Sequence, residues 1–228
     1  MQLYSSLASW WSVLTPKGTY DMEAEFFCSL LGEDIASIME LGSGIGAMAS
    51  SFPVHIRAIL VDESEEMLAE SRLRNPHSEH ICADVAHLSI QTQVDAVLIH
   101  DAIMYMNTPE KLAHMFSCAY RHLKAGGRVL VVPDVVREFF EEHSLSGGGE
   151  EGERAIQVLE WHWLPQKSVN TYQVEFSLIM KEAEKISTHH ESHILGLYSM
   201  EEYEQALCDA GFEILDIHEE GHYFLAQK

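Results

Sequence analysis

Short apolar runs alternate with amphipathic stretches between residues 35 and 134. The apolar runs predict five strands, at residues 35–41, 55–62, 79–84, 94–101 and 128–134. The amphipathic stretches predict helices at residues 45–51, 64–74 and 108–123, and a further helix at 21–31 precedes the first strand. Because the strands show little polar alternation, they are typical of a parallel sheet covered on both faces, which is a doubly wound α/β fold.

The pattern changes after residue 134. The segment GGGEEGE, at residues 147–153, predicts a flexible acidic loop. Three longer β segments follow, at residues 154–164, 170–182 and 185–196, and the second alternates apolar and polar residues with a period of two. We expect an inserted antiparallel sheet, followed by a helix at 199–210 and closing strands at 212–218 and 221–227.

These elements predict one domain, residues 1–228, with a mostly parallel seven-stranded sheet. Within it we distinguish an N-terminal helical segment at residues 1–31 and an inserted loop and antiparallel sheet at residues 135–196.

Composition narrows the choice of partners and compartment. The 228 residues include 36 Asp plus Glu against 14 Lys plus Arg, a net charge of −22. Such a surface repels phosphate backbones and anionic lipid, which argues against nucleic acid and membrane partners. No secretory signal or apolar run of about 20 residues is visible. The 4 cysteines are far apart and form no C-x-x-C pair, as expected of reduced thiols in a cytoplasmic protein.

Polar residues stand at the ends of four successive strands. The first strand runs into ELGSGIG at residues 40–46, and Asp62, Asp84 and the pair His100-Asp101 end the next three. Glycine permits a sharp turn and lets a ligand approach the backbone, and a helix that follows such a loop offers free N–H groups. A tight turn needs glycine whether or not a ligand binds, so the loop alone leaves both interpretations open.

Taken together, these residues resemble the class I S-adenosylmethionine-dependent methyltransferases, which have a Rossmann-like fold. The resemblance rests on ELGSGIG as the glycine motif, Val61-Asp62 as the ribose-binding pair, Ala83-Asp84 as the adenine-binding pair, and LKAGGRVLVVP around the fifth strand. It covers roughly residues 35–134 and returns at 199–228. It implies S-adenosylmethionine as the cofactor and a small molecule as the methyl acceptor.

The resemblance also assigns cofactor contacts. It implies that Glu40, Gly42, Ser43 and Gly44 line the methionyl part, that Asp62 binds the ribose, and that Asp84 accepts from the adenine, with Ala83 and Val85 beside it. Met67 would cover the adenine, although a single methionine is also ordinary core. In the N-terminal YSSLASWW, Tyr4, Trp10 and Trp11 would shield the sulfonium as a lid, or would pack the first helix.

His100, Asp101 and Tyr105 open the loop after the fourth strand, where the resemblance places residues between cofactor and acceptor. His100 is a candidate general base, since an imidazole titrates near neutral pH. The alternative is a histidine that only hydrogen-bonds cofactor or backbone. Tyr105 would line the pocket.

The inserted sheet carries further histidines. In Trp161-His162-Trp163, alternation places His162 on the face opposite both tryptophans, so that one side packs and the other could meet the acceptor. His189, Glu191 and His193 share a face that is conceivable for zinc. A solvated polar face is the more usual outcome, and we predict no metal site.

We therefore predict a small-molecule methyltransferase that favours N-methylation over O-methylation. The alternatives are an NAD-linked oxidoreductase and a non-catalytic cofactor-binding protein on the same core. The inserted sheet could pair with its copy in a homodimer.

Overall fold

The structure is a computed structural model that describes residues 1–32, 34–166 and 168–228. Elements are numbered in chain order. The strands are β1 (Ser37–Leu41), β2 (Arg57–Asp62), β3 (Glu79–Cys82), β4 (Val94–His100), β5 (Leu123–Val132), β6 (His143–Glu151), β7 (Arg154–Trp163), β8 (Thr171–Glu182), β9 (Lys185–Gly196), β10 (Glu213–Ile217) and β11 (Phe224–Gln227). The α-helices are α1 (Trp11–Leu14), α2 (Asp21–Leu31), α3 (Glu65–Arg74), α4 (Pro109–His122) and α5 (Met200–Asp209).

Two sheets make up the molecule. The larger has seven strands in the order β10-β11-β5-β4-β1-β2-β3, in which β11 pairs antiparallel with β5 and β10 while the other neighbours are parallel. The smaller is an antiparallel sheet in the order β6-β7-β8-β9. The predicted fold class is confirmed. The strand order reverses between β1 and β4, which is where α/β sheets bind ligands.

Both faces of the larger sheet are buried, as the apolar strands predict. On one face, Leu98 and Leu130 pack with Phe27 of α2. On the other, Val97 and Val129 belong to the main core, which includes residues of α4 and α5 as well as the inner face of the smaller sheet. Among the described residues, no helix is long and apolar enough to span a membrane.

Helix starts follow the local sequence. Thr108 caps α4 by accepting the Lys111 N–H at 3.3 Å, with Pro109 in the first turn. Ser199 and Glu202 cap α5 reciprocally in a capping box. The predicted helices at 21–31, 64–74, 108–123 and 199–210 are confirmed to within two residues at each end.

The helix predicted at residues 45–51 is wrong. That segment is a series of turns, with one short 3-10 turn at Ala49–Ser51. Gly46 has φ of 65°, and a Cβ there would overlap Asn75 and Ser71. The left-handed backbone interrupts helical geometry, and the tight packing against α3 leaves no room for a side chain.

The acidic loop predicted at residues 147–153 is also wrong in large part, because β6 extends through Glu151. A Cβ on Gly149 would overlap the carbonyl oxygen of Val13. Gly149 therefore lets the N-terminal segment lie directly on the inner face of the smaller sheet at β6. Arg154 strengthens this contact, since its guanidinium lies 4.1 Å from the centre of the Trp10 ring.

The Trp161-His162-Trp163 alternation is present, but the packed side is the one that carries His162. His162 faces inward and is buried, whereas Trp161 faces outward and is 56% exposed. The two short strands that close the larger sheet, β10 and β11, form where the sequence predicts them.

Candidate active site

The carboxylate of Asp62 joins the loop after β1 to the loop after β2. Its Oδ2 accepts the Gly44 N–H at 2.8 Å, and its Oδ1 accepts the Ser64 N–H at 2.9 Å. Gly42 and Gly44 have φ of 77° and 53°, and a Cβ on Gly42 would overlap the Cβ of Ala102. The glycines are therefore required both by backbone conformation and by close contact with the loop after β4.

Two buried polar atoms beside this loop lack a partner among the described residues. They are Oε2 of Glu40 and Oγ of Ser43. Burial raises the pKa of the Glu40 carboxyl to about 8, although the His100 charge opposes the rise. Because a buried polar group without a hydrogen bond is costly, these atoms mark a position prepared for a polar ligand.

An aromatic layer covers the glycine loop. Tyr4 stacks on Trp11 with ring centres 5.6 Å apart, and both pack against Ile45 and Met67. The Ser64 hydroxyl donates to the Tyr4 carbonyl, which fixes the N-terminal segment over the start of α3. The structure thus brings Tyr4, Trp11 and Met67 to the predicted cofactor region.

The residues after β3 show less sign of a cofactor site than those after β1 and β2. Asp84 accepts the Ala86 N–H at 2.8 Å and lies 3.1 Å from Nδ1 of His87, and its side chain is half exposed. Ala83 and Val85 pack beside it against the main core. The proposed adenine contact of Asp84 stays a prediction.

His100 lies between two acids at the end of β4. Its Nε2 is 3.1 Å from Oδ1 of Asp101 and 3.6 Å from Oε1 of Glu23, and the ring packs against Tyr20 and Phe27. Burial alone would lower its pKa, but Glu23 and Asp101 raise the His100 pKa to about 9. At neutral pH the ring is therefore an imidazolium, which has no free nitrogen to accept a proton.

A cavity of about 400 Å³ opens beside His100 and Asp101. It is bounded by α2, by the ends of β4 and β5, and by the turn before β11. Asp101 has φ of 42°, which is unusual for a residue other than glycine and directs its backbone into this turn.

Two further acids face this region, and sequence reasoning assigned them no role. Asp134 is exposed at the cavity, but the surrounding protein and the neighbouring Asp101 raise its pKa well above its usual range. Burial raises the pKa of the Tyr4 hydroxyl, and Asp101, Asp134 and Glu160 raise it further, so all three carboxyl groups lie around one region. Asp134 lies two residues after β5, as Asp62 lies at the end of β2, so the strand-end pattern of the sequence contained a signal for it. Glu160 is distant in sequence and gave no local signal.

Tyr105 connects the two sheets. Its hydroxyl lies 2.6 Å from that of Tyr4 and 2.7 Å from Nδ1 of His193. His189 and His193 both pair with Glu191, at 3.1 Å and 3.0 Å, so these three side chains satisfy one another. Within the described ranges, no group of three or more His, Cys, Asp or Glu is arranged to hold a metal ion.

Comparison with known proteins identifies the domain. Residues 38–127 match the family model described as a methyltransferase domain. A provisionally named methyltransferase of Geobacillus sp. (strain WCH70) is 25% identical over 230 residues, which cover 94% of this chain and 90% of that protein.

Solved structures share the fold. A sugar N-methyltransferase from Streptoalloteichus sp. ATCC 53650 superposes with a TM-score of 0.81 at 21% identity, covering 90% of this chain and 86% of that one. An amino pentose methyltransferase from Micromonospora echinaspora, solved with S-adenosylmethionine bound, superposes with a TM-score of 0.76 at 20% identity, covering 91% of each chain.

The residues present fit S-adenosylmethionine, the cofactor bound in the amino pentose methyltransferase structure. Its amino acid end is zwitterionic, which suits the unpartnered Glu40 carboxyl and Ser43 hydroxyl. The glycine backbone leaves room for close approach, and Asp62 has lone pairs left for the ribose hydroxyls. Tyr4, Trp11 and Met67 supply an apolar cover.

We predict that Asp62→Ala weakens binding of S-adenosylhomocysteine roughly tenfold to a hundredfold, because hydrogen bonds to a charged acceptor are worth about 1.5–3 kcal/mol. The variant also loses the hydrogen bond in which Asp62 accepts from the Gly44 N–H. Titration calorimetry measures the dissociation constant, with Glu63→Ala as the neighbouring control and circular dichroism to verify folding. Unchanged affinity in a folded Asp62→Ala protein would show that Asp62 only shapes the loop.

We predict that Glu40→Gln changes how the stability of the cofactor-free protein depends on pH. The folded-state pKa of about 8 lies above the ordinary value of 4.5, so the folded chain binds the Glu40 proton more tightly than the unfolded chain. Wild-type stability is therefore lost as the pH rises from about 5 to about 8, by at most about 1.4 kcal/mol per pH unit.

Glutamine removes this loss. The free energy of unfolding of Glu40→Gln, relative to wild type, should therefore increase between pH 5 and pH 8 and level off above. Urea unfolding at a series of pH values measures the difference, with the exposed Glu213→Gln as the control. A Glu40→Gln difference that is the same at both ends of this range would contradict the raised pKa.

Proposed function

We propose that this chain is a class I S-adenosylmethionine-dependent methyltransferase that methylates the amine nitrogen of a small cationic acceptor. The observation that carries the proposal is the acidic character of the cavity at the end of β4, whose following loop contacts Gly42 of the cofactor loop through Ala102. Asp101 and Asp134 line the cavity, and the charge of Glu160 reaches the same region from the inserted sheet.

The charge of the cavity supports an ammonium acceptor. Among the described residues that line it, none is Lys or Arg, and the His100 imidazolium is already paired with Glu23 and Asp101. A carboxylate or phosphate acceptor would be repelled by the acids, whereas an ammonium group would pair with them. The acceptor is therefore proposed to be an amine that carries no phosphate. The sugar N-methyltransferase fold neighbour is consistent with an amino sugar.

S-adenosylmethionine supplies a methyl group that its positive sulfur already activates. The chain must hold the acceptor nitrogen in line with that group, exclude water, and remove a proton from the ammonium. Tyr4 and Trp11 are proposed to exclude water, since they cover the glycine loop. Asp101 and Asp134 are proposed to bind the ammonium, whose positive charge would favour the ionised form of Asp134 against the raised pKa of its free carboxyl.

The general base predicted at position 100 needs a different assignment under this proposal. A pKa of about 9 keeps His100 protonated at neutral pH, so it cannot take the acceptor's proton. Its proposed role is to hold Asp101 and Glu23 in place through the ion pairs at 3.1 Å and 3.6 Å. O-methylation of a hydroxyl group is the competing chemistry that the experiment below separates.

We predict that the protein methylates D-glucosamine and not D-glucose, two compounds that differ by an amine in place of a hydroxyl. Release of S-adenosylhomocysteine and mass analysis of the sugar measure the reaction. Methylation of D-glucose at the same rate, or of neither sugar, would count against an amino-sugar acceptor.

Asp134→Asn should raise the KM for D-glucosamine by about tenfold or more. It should leave S-adenosylhomocysteine binding unchanged, and Glu204→Gln on the exposed side of α5 is the control.

A cytoplasmic location is proposed on the basis of the thiols. All 4 cysteines of the sequence are described and free, with Cys82 and Cys208 exposed. Exposed free thiols are typical of a reducing compartment.

We also propose a homodimer in which the outer faces of two inserted sheets pack together. That face exposes Trp161, Ile179, Ile186 and Ile194, each more than half exposed. A patch of apolar side chains on one face of a sheet is typical of an interface. Sedimentation equilibrium should detect a dimer that Trp161→Glu weakens. The control is Leu73→Glu, because the Leu73 side chain is exposed on α3, and it should leave the association unchanged. Wild-type protein that is a monomer at all concentrations would overturn the proposal.

A further inference from the structure

A continuous hydrogen-bond chain runs from the N-terminal segment to the inserted sheet. Tyr4 and Tyr105 are joined at 2.6 Å, Tyr105 and Nδ1 of His193 at 2.7 Å, and Nε2 of His193 and Oε1 of Glu191 at 3.0 Å. The His193 side chain is fully buried. This hydrogen-bond chain lies on the inner face of the inserted sheet. It joins the N-terminal segment, the loop after β4 and strand β9, which are far apart in sequence.

The direction of each hydrogen bond follows from Glu191. Its other oxygen accepts the N–H groups of Gln2 and Leu3 at 2.8 Å and 3.2 Å. Burial opposes ionisation, but the hydrogen bonds from His189 and His193 hold the pKa of Glu191 below its usual range. An ionised carboxylate only accepts, so Nε2 of His193 carries the proton and Nδ1 is free to accept. Tyr105 therefore donates to His193, and Tyr4 donates to Tyr105.

We infer that His193, oriented by Glu191, takes the acceptor's proton through Tyr105. This inference rests on the proposed amine acceptor, and the charge of Asp134, which is proposed to bind the ammonium, reaches the Tyr105 hydroxyl. The ammonium N–H bond breaks and its proton bonds to the Tyr105 oxygen, while the Tyr105 proton passes to Nδ1 of His193. The electron pair of the broken bond stays on the nitrogen as the lone pair that attacks the methyl carbon. The new imidazolium is balanced by the Glu191 carboxylate.

The surroundings of His193 suit this transfer. The titratable or charged groups that face it are Tyr4, Tyr105 and Glu191, and β8 presents the apolar Phe176, with ring centres 4.8 Å apart. Burial and then Tyr4 raise the pKa of Tyr105, so a free tyrosinate is disfavoured. Tyr105 can accept a proton only as it gives its own to His193. Nucleophile, base and orienting acid are linked in the same order in hydrolase triads.

The hydrogen-bond chain also makes the base, His193, depend on the position of the N-terminal segment. Tyr4, Gln2 and Leu3 all belong to that segment, and each donates into the network. If the segment moves away, Glu191 loses two donors and Tyr105 loses one. The relay is therefore complete only when Tyr4 and Trp11 cover the glycine loop and exclude water.

The first test needs no acceptor. Nitrogen NMR of the full-length protein labelled with 15N-histidine, with S-adenosylhomocysteine bound, should show His193 at pH 7 protonated on Nε2 alone. His193→Gln assigns the resonance. Tyr105→Phe should shift the Nδ1 resonance, whereas His189→Gln should leave Nδ1 unprotonated. A proton on Nδ1, or on both nitrogens at neutral pH, would overturn the relay.

The second test uses turnover of D-glucosamine. His193→Gln keeps a hydrogen-bonding side chain but cannot store the proton, so kcat at neutral pH should fall about a hundredfold, with little change in KM. The loss should shrink as the pH rises and the amine deprotonates unaided. His190→Gln, which contacts Ser177 and Glu175 on the outer face of β9 and no member of the hydrogen-bond chain, should retain kcat.

Two turnover results would contradict the relay: a His193→Gln enzyme with full kcat at neutral pH, or one with the same fractional loss at every pH. If wild type does not methylate D-glucosamine, the proposed amino-sugar acceptor fails. The NMR result then decides the relay independently.

Discussion

The geometry of the cofactor region depends on one carboxylate. Asp62 accepts one N–H from the glycine loop after β1 and another from the N-cap of α3, so it sets the distance between two loops that the parallel sheet only brings near each other. Ser64 in turn binds the Tyr4 carbonyl, which continues the connection to the N-terminal segment. Asp62, at the end of β2, therefore positions the glycine loop and the start of α3 directly. It positions the N-terminal segment through Ser64.

The sequence predicted those parts of the site that a parallel sheet brings together. Glu40 is next to last in β1 and Asp62 is last in β2, and strand ends of this kind meet at one edge of the sheet. Asp134, two residues after β5, lies at the same edge but was not singled out from the sequence. Glu160 and His193 could not be found this way, because an inserted antiparallel sheet has no fixed position until it packs. The protonation of His100 was missed for a similar reason: Glu23, on α2, is 77 positions away in the chain.

Local backbone chemistry explains the two elements that were predicted wrongly. The stretch at residues 45–51 has helical side-chain spacing, but a glycine in the left-handed region interrupts it. The glycines of β6 are poor strand formers by composition, and they adopt a strand because pairing with β7 and contact with α1 compensate. In both places tertiary contact decides the conformation, and a single sequence does not contain that information.

The contact between Gly149 and Val13 has a consequence for solubility. Gly149 pairs with Ile156, so the N-terminal segment lies on the apolar inner face of the inserted sheet at this point. Ile156 and Val158 are buried on that face, and a large exposed apolar surface favours association with other chains. Opening the active site widely would expose that face, so large excursions of the cover carry a risk of aggregation. Selection against aggregation would then limit how far, and for how long, this enzyme can open to exchange its product.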